Sequence, residues 1–115
     1  MAGRRSGGSK NLIGRWRIQE MDLWDRDALD LVGPAFIEFR ADQTGNFGFI
    51  AVKGWMDCRE ATIDDCPSLE FSWDGNDECD PASGRGWAAF QADGSLKGHI
   101  YFHMGDDLTF RAERG

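Results

Sequence analysis

The sequence predicts an all-β fold, an antiparallel up-and-down barrel of about eight strands with one short helix or lid after the first strand. Segments in which apolar and polar residues alternate recur at spacings of about ten residues and are separated by turn residues. Consecutive strands joined by hairpins form a meander, and a meander of this size can close, which removes its exposed edges. Glycines inside predicted strands fit the bends and tight interior of a small closed barrel: Gly14, Gly48, Gly86 and Gly98.

The first strand is predicted from strict alternation near the start of the chain. Between Leu12 and Glu20, Trp16 and Ile18 share one face, while the arginines share the other. In residues 21–32 apolar side chains recur at helical spacing, and a Gly-Pro pair follows at positions 33 and 34. We therefore expect a helix of one to three turns, or a lid, with its acidic residues on the solvent side.

The rest of the chain is predicted to form sequential hairpins. Residues 55–63 are only weakly patterned, whereas Asp93-Gly94 is a strong signal for a tight turn between two strands. The remaining predicted strands cover residues 35–40, 46–52, 69–74, 86–91, 96–103 and 108–113.

Length and charge predict one acidic domain. We assign residues 11–115 to a single barrel domain and residues 1–10 to a flexible basic tail. The formal net charge is −7, and because the first ten residues carry three cations and no acid, the domain holds ten Lys and Arg against twenty Asp and Glu. Such a field repels phosphate backbones, so we expect no nucleic-acid binding and favour a basic protein surface or cations as partners.

We expect a cytoplasmic location without membrane association. The sequence has no apolar run of about 18 residues, and no apolar segment follows the first arginines as in a secretion signal. Its three cysteines, Cys58, Cys66 and Cys79, form an odd set that cannot pair completely. This indicates a reducing compartment, although whether two of them pair stays open.

The stretch from Leu69 to Phe90 is predicted to hold the binding site. It reads as two short strands enclosing an acidic, glycine-rich loop, with large aromatic rings at the entry and exit of the loop. Rings, carboxylates and one arginine near strand ends are expected to rim a barrel mouth. The candidate ligand- or partner-binding residues are Trp55, Trp73, Asp74, Asp77, Glu78, Asp80, Arg85 and Trp87.

We expect no metal, no cofactor and no catalytic residue set. The loop from Asp74 resembles a calcium loop in its alternating oxygens, but Cys79 and Arg85 stand where the EF-hand pattern needs glycine and glutamate. A calcium site of another type is the less favoured alternative. His99 and His103, four residues apart in a predicted strand, would be ~13 Å apart, too far to share one ion.

The first and last strands are similar to those of lipocalins and other calycins. Gly14 and Trp16 form the Gly-x-Trp pattern of a first strand, and Arg111 lies on the last strand. In the calycin pattern the Trp lies at the closed end of the barrel and is covered by a late Arg. The resemblance therefore implies that Gly14, Trp16 and Arg111 close one end, although the chain is shorter than a typical lipocalin.

A second resemblance spans nearly all of residues 11–114. The sequence looks like that of a family of small bacterial proteins of unknown function, and the resemblance implies a lineage but no activity. It is carried by Gly-Arg-Trp16, Met21-Asp-Leu-Trp24-Asp, Leu31-Val-Gly-Pro-Ala35, Phe71–Glu78, Asp80–Trp87 and His103-Met-Gly-Asp-Asp107.

Together these features predict a non-enzymatic binding module that uses the Trp73 to Trp87 loop for a small ligand or a basic protein. The alternative is an enzyme acting on a small molecule at the barrel mouth, with His99, His103 or a loop carboxylate as acid or base. An open interior lined by Trp favours a pocket ligand, whereas a filled interior with an exposed aromatic and acidic patch favours a protein partner. The oligomeric state is not predicted.

Overall fold

A computed structural model describes residues 10–24 and 26–115, and most of the predicted basic tail lies outside these residues. A short 3-10 helix, Lys10–Leu12, precedes the first strand, and the single α-helix, α1, covers Arg26–Leu29. The strands are β1 (Gly14–Met21), β2 (Phe36–Phe39), β3 (Thr44–Phe49), β4 (Val52–Ile63), β5 (Cys66–Asp77), β6 (Asp80–Phe90), β7 (Leu96–Phe102) and β8 (Asp107–Arg114).

The eight strands form a closed antiparallel barrel in sequence order, which confirms the predicted fold class. β8 closes the barrel by pairing with β1, where Trp16 lies opposite Arg114. The segment after β1 contains only one helical turn, and Leu29 from this turn is fully buried. The helix therefore covers one end of the barrel, here called the mouth, where the β3–β4, β5–β6 and β7–β8 turns also lie.

Alternation along the strands divides the side chains between core and surface. In β8, Leu108, Phe110 and Ala112 are buried, while the residues between them are half-buried. Leu12 from the 3-10 helix is also fully buried. The buried side chains confirm the inner faces predicted for β1, β2, β5, β7 and β8. Alternation along one strand is enough to predict its buried face, because successive side chains of a strand point to opposite sides of the sheet.

Glycine faces an aromatic residue on the neighbouring strand at several positions. A side chain on Gly54 would overlap the Phe47 ring, and one on Gly86 would overlap the Phe71 ring. Each aromatic ring thus lies over the bare backbone of its partner, which lets bulky rings fit inside a narrow barrel. The pairs inside the barrel are Phe47 and Gly54, Phe71 and Gly86, Trp73 and Gly84, and Phe110 and Gly98, while Phe36 lies over Gly48 on the outer face.

The prediction of an acidic loop is wrong, because the residues assigned to it continue the two strands as a long hairpin. β5 runs to Asp77 and β6 begins at Asp80, so only Glu78 and Cys79 form the turn. Glu78 has a φ of 59°, which a tight turn requires of one residue here. The weakly patterned segment before it belongs to β4, which has 12 residues and pairs with β5 along its whole length.

Within the described residues, no helix is long and apolar enough to cross a membrane.

Candidate functional site

Aromatic rings fill the interior of the barrel. Phe47 stacks on Phe49 with 5.7 Å between ring centroids and meets Trp73 edge-on at 5.0 Å. Trp73 also contacts Phe102 at 5.1 Å, and its indole N–H donates to the Tyr101 carbonyl. Because these side chains occupy the space between the strands, sites for a partner are to be sought on the outside or at the ends.

The mouth is covered by Trp24, whose ring lies 6.0 Å from that of Phe49. Above Trp24 and Phe102 lies a depression of about 390 Å³. Its polar lining includes His103, the predicted acid or base at this end. The carboxylates beside it are exposed: Asp77, Asp80 and Asp106.

The opposite end is closed by Trp16, with an arginine over its ring as the calycin pattern implies. The arginine is Arg114, however, so the prediction of Arg111 is wrong. Arg114 lies opposite Trp16 in the β1–β8 register, with its guanidinium carbon 3.9 Å from the ring centroid. Arg111 instead lies beside Glu20 and forms ion pairs with Glu20 and Glu113 on the outer surface.

Trp73 and Trp87 do not flank a common loop. Trp73 lies opposite Gly84 and points inward, where it is 4% exposed. Trp87 lies opposite Glu70 and belongs to the outer surface, where it is half-buried. The two rings are therefore on opposite faces of the sheet, and only Trp87 is accessible to a partner.

Trp55 is the most exposed of the predicted aromatic residues, at 59%. It points outward from the middle of the β3–β4–β5 sheet, opposite Asn46 on β3 and Asp74 on β5. Asp57, two residues along β4, faces the same side and is exposed. The side-chain oxygen of Asn46 is buried and has no hydrogen-bond partner within the described residues. A large ring thus lies among polar groups on an open surface.

Further carboxylates surround Trp55 on the outside of the two long hairpins. We call this set the acidic face, and its members are Asp57, Glu70, Asp74 and Glu78, whereas Asp77 and Asp80 lie on the same face of the strands as Trp73 and line the mouth. All four are exposed, and Asp57 contacts Arg59 at 3.7 Å. The cations Lys53, Arg59 and Arg85 lie on the same surface, so that negative charge exceeds positive charge there.

An apolar groove borders Trp55 on the side of β2. Its volume is about 490 Å³, and Val32, Pro34 and Phe36 form much of its wall together with Trp55. Val32 is 66% exposed, although it is a branched apolar residue. Phe36 lies over Gly48 on the groove side of the sheet. Sequence analysis missed this groove because its walls come from a loop and four strands.

A second outer surface is formed by β6, β7 and β8. The His99 ring stacks on Tyr101 at 4.5 Å and lies 6.0 Å from Trp87, while its Nε2 contacts the Asp107 carboxylate. Arg85 lies opposite Tyr101 in the β6–β7 register. Between this row and the acidic face is a depression of about 630 Å³. His99 thus has an acidic partner on the outside of the barrel, whereas His103 lies in the next turn.

The cysteines and carboxylates do not form a metal centre within the residues the structure describes. Cys58 is buried, Cys66 is half-buried and Cys79 is exposed, and all three are free thiols. Burial, with help from Asp57 and Asp42, raises the pKa of Cys58 to about 12. That thiol is therefore neutral and unreactive near pH 7.

Comparisons with known proteins identify no relative. No family model matches the chain, and the searches of curated proteins and of solved structures give no significant match.

Proposed function

We propose that this protein is a non-enzymatic interaction module that binds a basic protein segment on its acidic face. The observation that carries the proposal is the position of Trp55, an exposed ring opposite Asp74 on a barrel whose interior is filled. Aromatic residues contribute strongly to protein interfaces because they bury a large area with few rotatable bonds. An outward Trp in the middle of a sheet is therefore a good anchor for a partner.

The charge of the surface supports a basic partner. The four carboxylates of the acidic face outnumber its three cations, and the whole chain carries a formal net charge of −7. Opposite charge increases the rate of encounter and disfavours partners of like charge, including nucleic acids. The expected partner presents arginines or lysines beside apolar side chains.

The enzymatic alternative would use the depression at the mouth, with His103 and its neighbouring carboxylates. We favour it less because those side chains are exposed, and a reaction centre usually gains from the exclusion of water. The free thiols support a reducing compartment, and we propose that the protein acts in the cytoplasm.

The proposal can be tested by measuring peptide binding with fluorescence anisotropy. The probe is a fluorescein-labelled peptide of alternating arginine and glycine, and its control has glutamate in place of arginine. We expect the basic peptide alone to bind, and binding should weaken as ionic strength rises because the attraction is electrostatic.

A pair of charge-matched variants locates the site. The first neutralises part of the acidic face with Asp57→Asn, Glu70→Gln and Asp74→Asn. The second removes the same charge elsewhere, with Glu20→Gln, Asp27→Asn and Glu113→Gln. The first should weaken binding about tenfold, as expected for the loss of several favourable charges, and the second much less. Equal loss in both variants would exclude a specific acidic face.

A further inference from the structure

We infer that Trp55 and Asp74 form a site for one arginine side chain of the partner, with an apolar side chain of the same segment in the adjoining groove. This inference rests on the proposed function, and it names the residue that the acidic face recognises. The barrel already contains such an arrangement on the neighbouring strands.

The complete arrangement, an arginine that contacts both an aromatic ring and a carboxylate, is found at Phe36. The Arg15 guanidinium carbon lies 4.0 Å from the centroid of the Phe36 ring, and the same guanidinium contacts Glu38 at 3.3 Å. Ring, guanidinium and carboxylate thus stabilise one another on the outer face, through cation–π attraction and an ion pair. All three residues are outward-facing members of β1 and β2.

An incomplete form, which has a ring and a carboxylate but no arginine among the described residues, lies two strands away in the same row of cross-strand neighbours. Glu38 lies opposite Asn46, Asn46 opposite Trp55, and Trp55 opposite Asp74. Directly opposite residues on one face are neighbours, so the ring and the carboxylate of this second form are adjacent. Asp74 has no ion-pair or side-chain hydrogen-bond partner within the described residues.

The pair formed by Trp55 and Asp74 lacks a cation among the residues that the structure describes. Within the described part of the chain, guanidinium groups lie over rings at two places, Arg15 over Phe36 and Arg114 over Trp16. Lys53 neighbours Trp55 along β4 but does not lie over its ring. Indole is the strongest ring for cation–π attraction, so the most exposed Trp is also the best unused acceptor.

Arginine suits this site better than lysine. Its planar guanidinium can stack on an indole and donate to a carboxylate at the same time, whereas an ammonium acts as a point charge. Asn46, which lies opposite Trp55, borders the site, although its side-chain oxygen is buried.

The groove determines what lies next to the arginine. Val32, Pro34 and Phe36 line it together with Trp55, so an apolar side chain adjacent to the arginine has a surface to cover. Glu78 lies at the border of the same groove and adds negative charge. The recognised segment is therefore an arginine followed or preceded by a large apolar residue.

The test uses three short acetylated peptides that differ in one residue, arginine, lysine or citrulline, each next to leucine. Citrulline keeps the planar shape of arginine but has no charge. Binding to the full-length protein is measured by chemical-shift changes of the Trp55 indole N–H and of the Asn46 side-chain amide. Arginine should bind most tightly, followed by lysine and then citrulline.

Variants then separate this site from the acidic face as a whole. Trp55→Ala should weaken arginine binding about fivefold, in line with the strength of an exposed cation–π contact, and Asp74→Asn should weaken it by a similar factor. Tyr101→Ala, which removes another exposed ring, should leave binding unchanged. Thermal unfolding checks that each variant folds, and Asp74→Asn retains the shape of the native side chain.

Two results would overturn the inference while leaving the proposed function intact. One is equal binding of the arginine and citrulline peptides, and the other is unchanged arginine binding by Trp55→Ala while neutralising the acidic face still weakens it. Failure of every basic peptide to bind the wild-type protein would instead contradict the proposed function.

Discussion

Arg114 lies over the Trp16 ring at the closed end of the barrel. Its guanidinium carbon is 3.9 Å from the ring centroid, and its two terminal nitrogens donate to the carbonyls of Ile13 and Asn11. Trp16 itself is fully buried and donates its indole N–H to the Leu12 carbonyl. Arg114 thus connects the last strand to the segment that begins the first, and it covers the core at this end.

Replacing Arg114 with alanine should lower the free energy of unfolding by about 2 kcal/mol, since the change removes a cation–π contact and two charge-assisted hydrogen bonds. Arg111→Ala is the matched control. Its ion pairs are on the surface, so we expect a loss of about 0.5 kcal/mol. Urea denaturation of both variants measures the difference, and equal losses would show that Arg114 does not stabilise the closed end.

The fold could be predicted from sequence because its signals are local. Alternation identifies each strand, and turn residues identify most hairpins. The placement of Trp73 and Trp87 could not be predicted this way. The two residues are an even number of positions apart, which would put them on one face of a single strand. They lie instead on two strands joined by a two-residue turn after Asp77. Across this turn each odd-numbered residue pairs with an even-numbered one, so Trp73 lies opposite Gly84.

The candidate site could be predicted only in part, because the sequence alone does not show which residues of neighbouring strands lie opposite each other. Trp55 and Asp74 were identified from their residue types, but their direct pairing follows from the register of β4 and β5. Asn46 has no local signal, because its significance comes from the neighbouring strand. Arg114 was missed since Arg111 also fits the late-strand position, and only the pairing of β8 with β1 distinguishes the two.

The three thiols should react with iodoacetamide in the order of their exposure. Cys79 is exposed and should be modified first, whereas Cys58 is buried. With a pKa of about 12, Cys58 has a thiolate fraction on the order of 10⁻⁵ to 10⁻⁴ near neutral pH. Peptide mapping by mass spectrometry should find Cys58 modified only after urea is added. Early modification of Cys58 in the native protein would show that the core opens near β4.

Stability should fall in acid partly because Asp22 becomes protonated. Hydrogen bonds from the backbone N–H and the hydroxyl of Thr109 lower the pKa of Asp22 below its ordinary value of 3.8. A carboxylate with a lowered folded-state pKa stabilises the protein above the unfolded-state pKa, and this contribution disappears as the pH falls through the folded-state value.

Asp22→Asn tests this dependence, because asparagine keeps an acceptor oxygen but does not titrate. The difference in unfolding free energy between wild type and variant should be constant above about pH 5 and should shrink below pH 4. Thr109→Val, which removes one of the two donors, should reduce the pH-dependent part without abolishing it. A difference that does not change with pH would mean that Asp22 is not stabilised as an anion.

Gly54 should be intolerant of any side chain, because the Phe47 ring lies over it. An alanine Cβ would overlap that ring, which is held between Phe49 and Trp73 and cannot move away. Gly54→Ala should therefore cost about 2 kcal/mol of stability, within the range for overpacked cores. Gly33→Ala is the control, since nothing lies within 4 Å of its added Cβ, and its effect should stay within about 0.5 kcal/mol.

A double-mutant cycle with Phe47→Leu identifies the cause of the loss. Leucine is smaller and flexible, so Gly54→Ala should cost about 1 kcal/mol less in the Phe47→Leu background than in the wild type. Because Phe47 and Gly54 are direct cross-strand partners, such coupling would establish that the glycine is required for the ring above it. Additive effects would mean instead that Gly54 is needed for its backbone, and the other aromatic and glycine pairs would then need the same test.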